Sequence, residues 1–233
     1  MLMKQLRSYG DERTIAFCAF CGRKTGTRDH CPSRVFLDEP YPENLPVVPA
    51  CSACNSSFSA DEEYLACLVS CVIAGSTDPD TLPREKTRRI LNAKPLLRMR
   101  IEQARSVSDS DGATIFKPEH ERIVAVITKL AQGHALFELH ESCPHTPDEI
   151  NFVPLSLMSK AQREAFEHPE ASSIWPEVGS RAMQRLVEGT DLTVDSWIVV
   201  QPERYRFYAS VSSDVDVRIV IQEYLACHVR WEY

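Results

Sequence analysis

The chain has 233 residues, is 43% hydrophobic and 25% charged, and carries 8 Gly, 15 Pro and 9 Cys. That is globular composition, with enough chain to bury a core, and it excludes disordered, collagenous and coiled-coil classes. The net charge of −7 excludes a surface that grips phosphates everywhere. Its distribution is uneven: −2 over residues 1–75, +4 over 76–105 and −9 over 106–233.

The N-terminus, Met1 to Tyr9, has no secretory h-region, and no apolar run reaches a membrane-spanning length. A soluble, cytoplasmic protein with no membrane partner is expected, and in that compartment a disulfide framework is not. Residues 15–66 are dense in Cys and Pro. Two knuckles, Cys18-Ala-Phe-Cys21-Gly22 and Cys51-Ser-Ala-Cys54-Asn55, bracket a Pro-containing loop. A helix is expected from Asp61 to Val69, with Ser59 as N-cap and Glu62 completing a capping box. Cys67 and Cys71 fall on its apolar face and read as core thiols.

Ser76 to Pro83 is a turn-rich break. Residues 84–105 look helical and hold eight Lys/Arg, with Pro95 expected to kink or divide the helix. Ser106 to Thr114 reads as a polar linker containing Asp111-Gly112. Residues 118–140 form the clearest amphipathic helix, through Ile123, Ile127, Leu130 and Ala131, with Gly133 expected to interrupt it. Two shorter helices are expected at Ser159–Glu167 and Ser180–Glu188. His134, His140 and His145 lack ligand spacing and read as surface or cap residues. From 196 to 232 the period changes to two, as in Val215, Val217, Ile219 and Ile221, which predicts an antiparallel sheet. Pro202-Glu203 would turn one of its hairpins. Trp197, Tyr205, Phe207 and Trp231 read as core residues of that sheet.

The expected architecture is α+β in three parts: a zinc-stapled finger over 1–75, a basic helical connector over 76–114, and a helix-plus-antiparallel-sheet domain over 115–233. Two C-x2-C pairs about thirty residues apart, Cys18/Cys21 and Cys51/Cys54, wrap a tetrahedral Zn²⁺ with no open position, which makes the ion structural. Asp29-His30 lies between the knuckles, and Asn55 follows the second. Asp29 and Asn55 offer oxygen donors to Mg²⁺ or Mn²⁺, and His30 can take a proton from an attacking water. Cys31, beside His30, reads as a small, partly buried side chain.

Taken together, Cys-x2-Cys, Asp29-His30, Asn44-Leu45 and Cys-x2-Cys-Asn55 resemble the HNH endonucleases of the four-cysteine type. The resemblance covers about 52 of the 233 residues. It implies a ββα-metal finger with His30 as general base, Asn55 and Asp29 as ligands of a catalytic cation, and Asn44 fixing the loop that orients His30. The expected activity is divalent-metal-dependent hydrolysis of phosphodiester bonds, with DNA as partner. Arg34, Arg84, Arg88 and Arg89 are candidate backbone contacts. The C-terminal domain is left for substrate choice, regulation by a partner or homo-oligomerisation. Two alternatives accompany this reading: a zinc-ribbon module that binds nucleic acid or protein without cutting, and a defence effector regulated by its C-terminal domain.

Overall fold

A computed structural model describes residues 15–43, 45–107, 114–169, 176–187 and 197–233. Helices and antiparallel strands are both present, so the chain is α+β. It divides into two compact units, one formed by residues 1–57 with 127–233, the other by 58–126. This differs from the sequence boundaries at 75/76 and 114/115. The knuckle segment belongs with the C-terminal sheet because β1 is held by residues 129–134, as described below. Among the described residues, no helix is long and apolar enough to cross a membrane.

In the first unit, β1 (Thr27–His30) pairs antiparallel with β2 (Val47–Ala50), and α1 (Ser52–Ser57) follows directly. The second unit opens with α2 (Ser59–Ala74). Phe58 is already in helical conformation and Ser59 is the first residue of α2, so the expected Ser59 cap is not formed. Tyr64 to Cys71 is a continuous buried run, and it includes both Cys67 and Cys71. Gly75, at φ 63°, closes the helix by donating back to Cys71 and Val72. A left-handed residue there is what glycine supplies without a Cβ penalty.

Pro95 divides the basic segment into α3 (Glu85–Ala93) and α4 (Pro95–Gln103), occupying the first turn of α4, where its missing N–H costs nothing. Beyond α4, β3 (Arg105–Val107) and β4 (Thr114–Phe116) pair, so the ends of the expected linker are a hairpin. Asp111-Gly112 lies outside the described residues. Helix α5 (His120–His134) begins in this unit, where Tyr64 Oη accepts from the Glu119 N–H at 2.9 Å and the Arg122 guanidinium lies over the Tyr64 ring.

Gly133 does not interrupt α5, which ends at His134 and continues as a π turn over Ala135–Leu139. After it come β5 (Glu149–Pro154), α6 (Lys160–Glu167), α7 (Arg181–Val187), β6 (Ile198–Gln201), β7 (Tyr205–Val211), β8 (Asp214–Ile221) and β9 (Leu225–Glu232). The strands form one antiparallel sheet in the order β5-β9-β8-β7-β6. Ser159 and Gln162 make a reciprocal capping box on α6.

Alternation of the strands divides the sheet's residues between two faces. One carries Tyr205, Phe207, Val217, Ile219, Cys227, Val229 and Trp231, all at or near zero exposure. Each such large apolar side chain contributes about 1.5–3 kcal/mol on burial. The other face carries Val220 and Ala226, clustered with Leu155 and Phe166 of the α6 region. His134 is fully buried, not at the surface: it stacks on Phe207 with ring centroids 3.7 Å apart, and Nε2 lies 2.7 Å from Tyr205 Oη. His140, at φ 63°, caps the π turn as a cap role requires.

Burial holds His134 neutral down to about pH 3, from an ordinary value of 6.5. Below pH 6.5 the unfolded chain binds a proton that the folded state refuses, so stability falls as pH drops through that window and is flat above it. The slope contributed is up to about 1.4 kcal/mol per pH unit. Denaturant midpoints between pH 7 and 4.5 should show it, and His134→Gln should flatten the slope by that amount.

Gly133 has a packing reason. A Cβ there would sit 2.5 Å from Cys31 Sγ. Helix propensity alone would make Gly133→Ala stabilising by about 1 kcal/mol, but overpacking costs about 1–3 kcal/mol. The expected result is net destabilisation by up to about 2 kcal/mol, reduced when Cys31→Ala is added, since the Cys31 Cβ at 3.1 Å remains, as a double-mutant unfolding cycle will read.

Candidate metal centre and the Asp29–His30 strand

The first knuckle is a tight turn closed by backbone bonds. The Gly22 N–H donates to Cys18 O at 2.9 Å, and the Cys18 N–H to Arg23 O at 2.7 Å, with Gly22 at φ 67°. The second lies where β2 gives way to α1, and there the Cys54 N–H points at Cys51 Sγ at 3.4 Å. The two turns bring the sulfurs of Cys18, Cys21, Cys51 and Cys54 within 4.8 Å of one another. Tetrahedral zinc with Zn–S of about 2.3 Å requires S···S separations of roughly 3.8 Å, and Cys21 and Cys51 are 3.8 Å apart. All nine cysteines are free thiols. These four can hold a zinc ion.

The electrostatics agree with a cation at their centre. Cys21 is pulled down to about 6, chiefly because Arg23 donates to its sulfur at 3.4 Å. Cys51 is lowered by the Cys54 backbone N–H, while Cys54 is pushed up, first by burial and then by the neighbouring thiols. Four sulfurs this close cannot all ionise without a positive charge among them.

Strand β1 carries the other chemistry. Asp29 pairs in register with Val48 and His30 with Val47, so their side chains leave the ribbon on opposite faces. Lys129 of α5 reaches Asp29, with Nζ 2.7 Å from Oδ2 and only 3% and 12% of the two side chains exposed. That carboxylate oxygen is itself buried, so the ion pair is its charge partner. Lys129 also donates to Ser33 Oγ at 3.2 Å and lies over the Phe20 ring. Next along the chain, Cys31 Sγ contacts Leu130 O at 3.4 Å and His134 Nδ1 at 3.6 Å. The catalytic-candidate strand is thus clamped by residues 129–134.

His30 is partly buried, and its ordinary value is lowered by that burial and by the Arg34 cation, against the opposing pull of Asp29. The imidazole is therefore neutral at pH 7 and can accept a proton. Asn55, on α1, donates through Nδ2 to Thr27 Oγ1 and to Arg28 O, each at 3.2 Å. Those bonds orient its amide on β1 and leave Oδ1 as an oxygen donor. Thr27 shares its strand face with Asp29. A carboxylate and an amide oxygen are the donor types a hard divalent cation takes, so Asp29 and Asn55 fit that cation by chemistry.

Asn44 lies outside the described residues. Arg34 is exposed, with its guanidinium 5.4 Å from the Tyr41 ring centre. Arg84 is 2% exposed, and that burial removes it from any backbone-contacting ridge. Arg88 donates to Leu82 O at 3.3 Å, and Arg89, exposed, pairs with Glu85 at 3.6 Å. Lys129 was not anticipated. The available signal was a lone lysine among Val126, Ile127, Leu130 and Ala131, where a surface charge is out of place.

Compared with family models, curated proteins and solved structures, the chain matches none of them.

Proposed function

We propose that the chain is an HNH-type endonuclease, hydrolysing phosphodiester bonds with DNA as its partner. The observation that supports it is the succession of Asp29 and His30 on β1, with Asn55 on α1 hydrogen-bonded to that strand, next to a four-cysteine cluster. On this reading β1, β2 and α1 are the ββα-metal finger, and the cysteines hold a structural zinc. A closed four-thiolate site offers zinc no place for substrate, so zinc's task is to fix α1 against the strands.

His30 takes the proton of the attacking water, a role its neutral imidazole suits. Asp29 and Asn55 would hold a divalent cation such as Mg²⁺ or Mn²⁺. Bound there, the cation supplies positive charge for the scissile phosphate and the leaving oxygen. Asn55 keeps its oxygen available because its nitrogen is committed to β1. Arg34, four residues beyond His30, would contact the phosphate backbone.

Incubation of supercoiled plasmid with the zinc-loaded protein tests this. Nicking is expected with Mg²⁺ or Mn²⁺ and none with the cation chelated, and Asp29→Asn should slow it at least about tenfold. A zinc-loaded protein that cuts no duplex, branched, single-stranded or RNA substrate with any cation, yet shifts DNA in a gel, would make the chain a binding module instead.

A further inference from the structure

The ammonium of a lysine side chain that is only 3% exposed has left water at a cost of several kcal/mol unless a counter-charge meets it. Lys129 meets Asp29, and the pair together is neutral. The contact is an ion pair on a buried carboxylate oxygen, Oδ2, at 2.7 Å. Asp29 is also the carboxylate that the proposed function assigns to the catalytic cation. A divalent ion on this carboxylate would sit within a few ångströms of a buried positive charge, where repulsion is weakly screened.

We propose that Lys129 is a resident counter-ion that competes with the divalent cation for Asp29. In the resting protein the seat is taken by the ammonium, and the cation binds weakly. The ion enters when a phosphate brings negative charge to the site, so cation and substrate load together. Lys129 is a positioning residue, acting through Asp29 and, at 3% exposed, not touching substrate itself. This inference rests on Asp29 being the cation's ligand.

The test is Mn²⁺ affinity of the full-length, zinc-loaded protein without DNA, read by electron paramagnetic resonance. Lys129→Met keeps the length of the side chain and removes its charge. It should bind Mn²⁺ about tenfold or more tightly than wild type, with zinc content unchanged. Lys129→Arg should behave as wild type, and adding Asp29→Asn to Lys129→Met should abolish the gain. An unchanged or weakened Mn²⁺ affinity in a zinc-loaded Lys129→Met would overturn the proposal.

A wild-type measurement covers the case in which the variant fails to fold. Acetic anhydride labelling of Lys129, mapped by mass spectrometry, should rise at saturating Mn²⁺ as the ammonium leaves Oδ2, and no rise would overturn the proposal. The two readings fail separately. Nicking that depends on His30, without a gain in Lys129→Met, removes the counter-ion role and leaves the nuclease. A gain in Mn²⁺ affinity with no cleavage of any substrate removes the nuclease and leaves the counter-ion.

Discussion

Replacing His30 by alanine is expected to lower the plasmid-nicking rate by about 10²- to 10⁴-fold, the range a positioned general base contributes. Zinc content and thermal stability should stay near wild type. His30 is partly buried at the end of β1, so the substitution removes modest apolar area and no buried ion pair. Its neighbour Asp29 keeps Lys129. The result separates chemistry from folding, because the same preparation is assayed for nicking, zinc and unfolding. Equal cutting by the variant would remove His30 from the mechanism. His30→Gln sharpens the reading: it keeps a polar side chain of similar reach but cannot take up the proton, and should be as slow as alanine.

The parts of the fold legible in the sequence are those with local causes. Pro95 had to divide the basic segment, and it opens α4. The alternation from Tyr205 to Val229 had to be strands, and it is. The four cysteines announced their cluster through spacing alone. Strand β5 was missed because Glu149–Pro154 mixes Glu, Asn and Pro with its apolar residues, and only pairing with β9 makes it a strand. Ser59 misled because a cap signature does not say whether the preceding residue is already helical, as Phe58 is. Gly133 misled because its purpose is steric, set by Cys31 a hundred residues earlier.

Lys129 shows the same limit at the candidate site. Asp29, His30 and Asn55 are recognisable as residue types at their spacing. That a lysine one hundred residues from Asp29 meets its carboxylate is a tertiary fact. The clamp of residues 129–134 on β1 also explains why residues 1–57 belong to the same unit as the C-terminal sheet. The knuckle segment is thereby joined to the C-terminal sheet.

Cys18→Ser is expected to abolish stoichiometric zinc and to loosen the segment from Cys18 to Asn55. The regular structure there is small: β1 and β2 have four residues each and α1 has six. Strands and helices of that length do not hold together in water without a staple. Structural zinc in small fingers supplies about 10–16 kcal/mol of apparent binding energy, which is folding energy for the ligand loops. Here Asp38 and Gln201 exchange backbone–side-chain hydrogen bonds at 2.8 and 2.9 Å, tying the inter-strand loop to β6. That tie, with the clamp at Cys31, should retain part of the segment's order. The expected net loss is therefore smaller, on the order of 2–5 kcal/mol, the range for losing a native covalent staple in a small domain. Hydrogen exchange should locate the loss: amides from 18 to 55 become fast while those of β8 and β9 stay protected. Cys67→Ala is the control, since Cys67 is a buried thiol of α2 that is not one of the four clustered cysteines, and the variant should keep one zinc per chain. Full zinc retention in Cys18→Ser would take Cys18 out of the ligand set. Loss of zinc with exchange unchanged over 18–55 would show that the hairpin and α1 stand on packing alone.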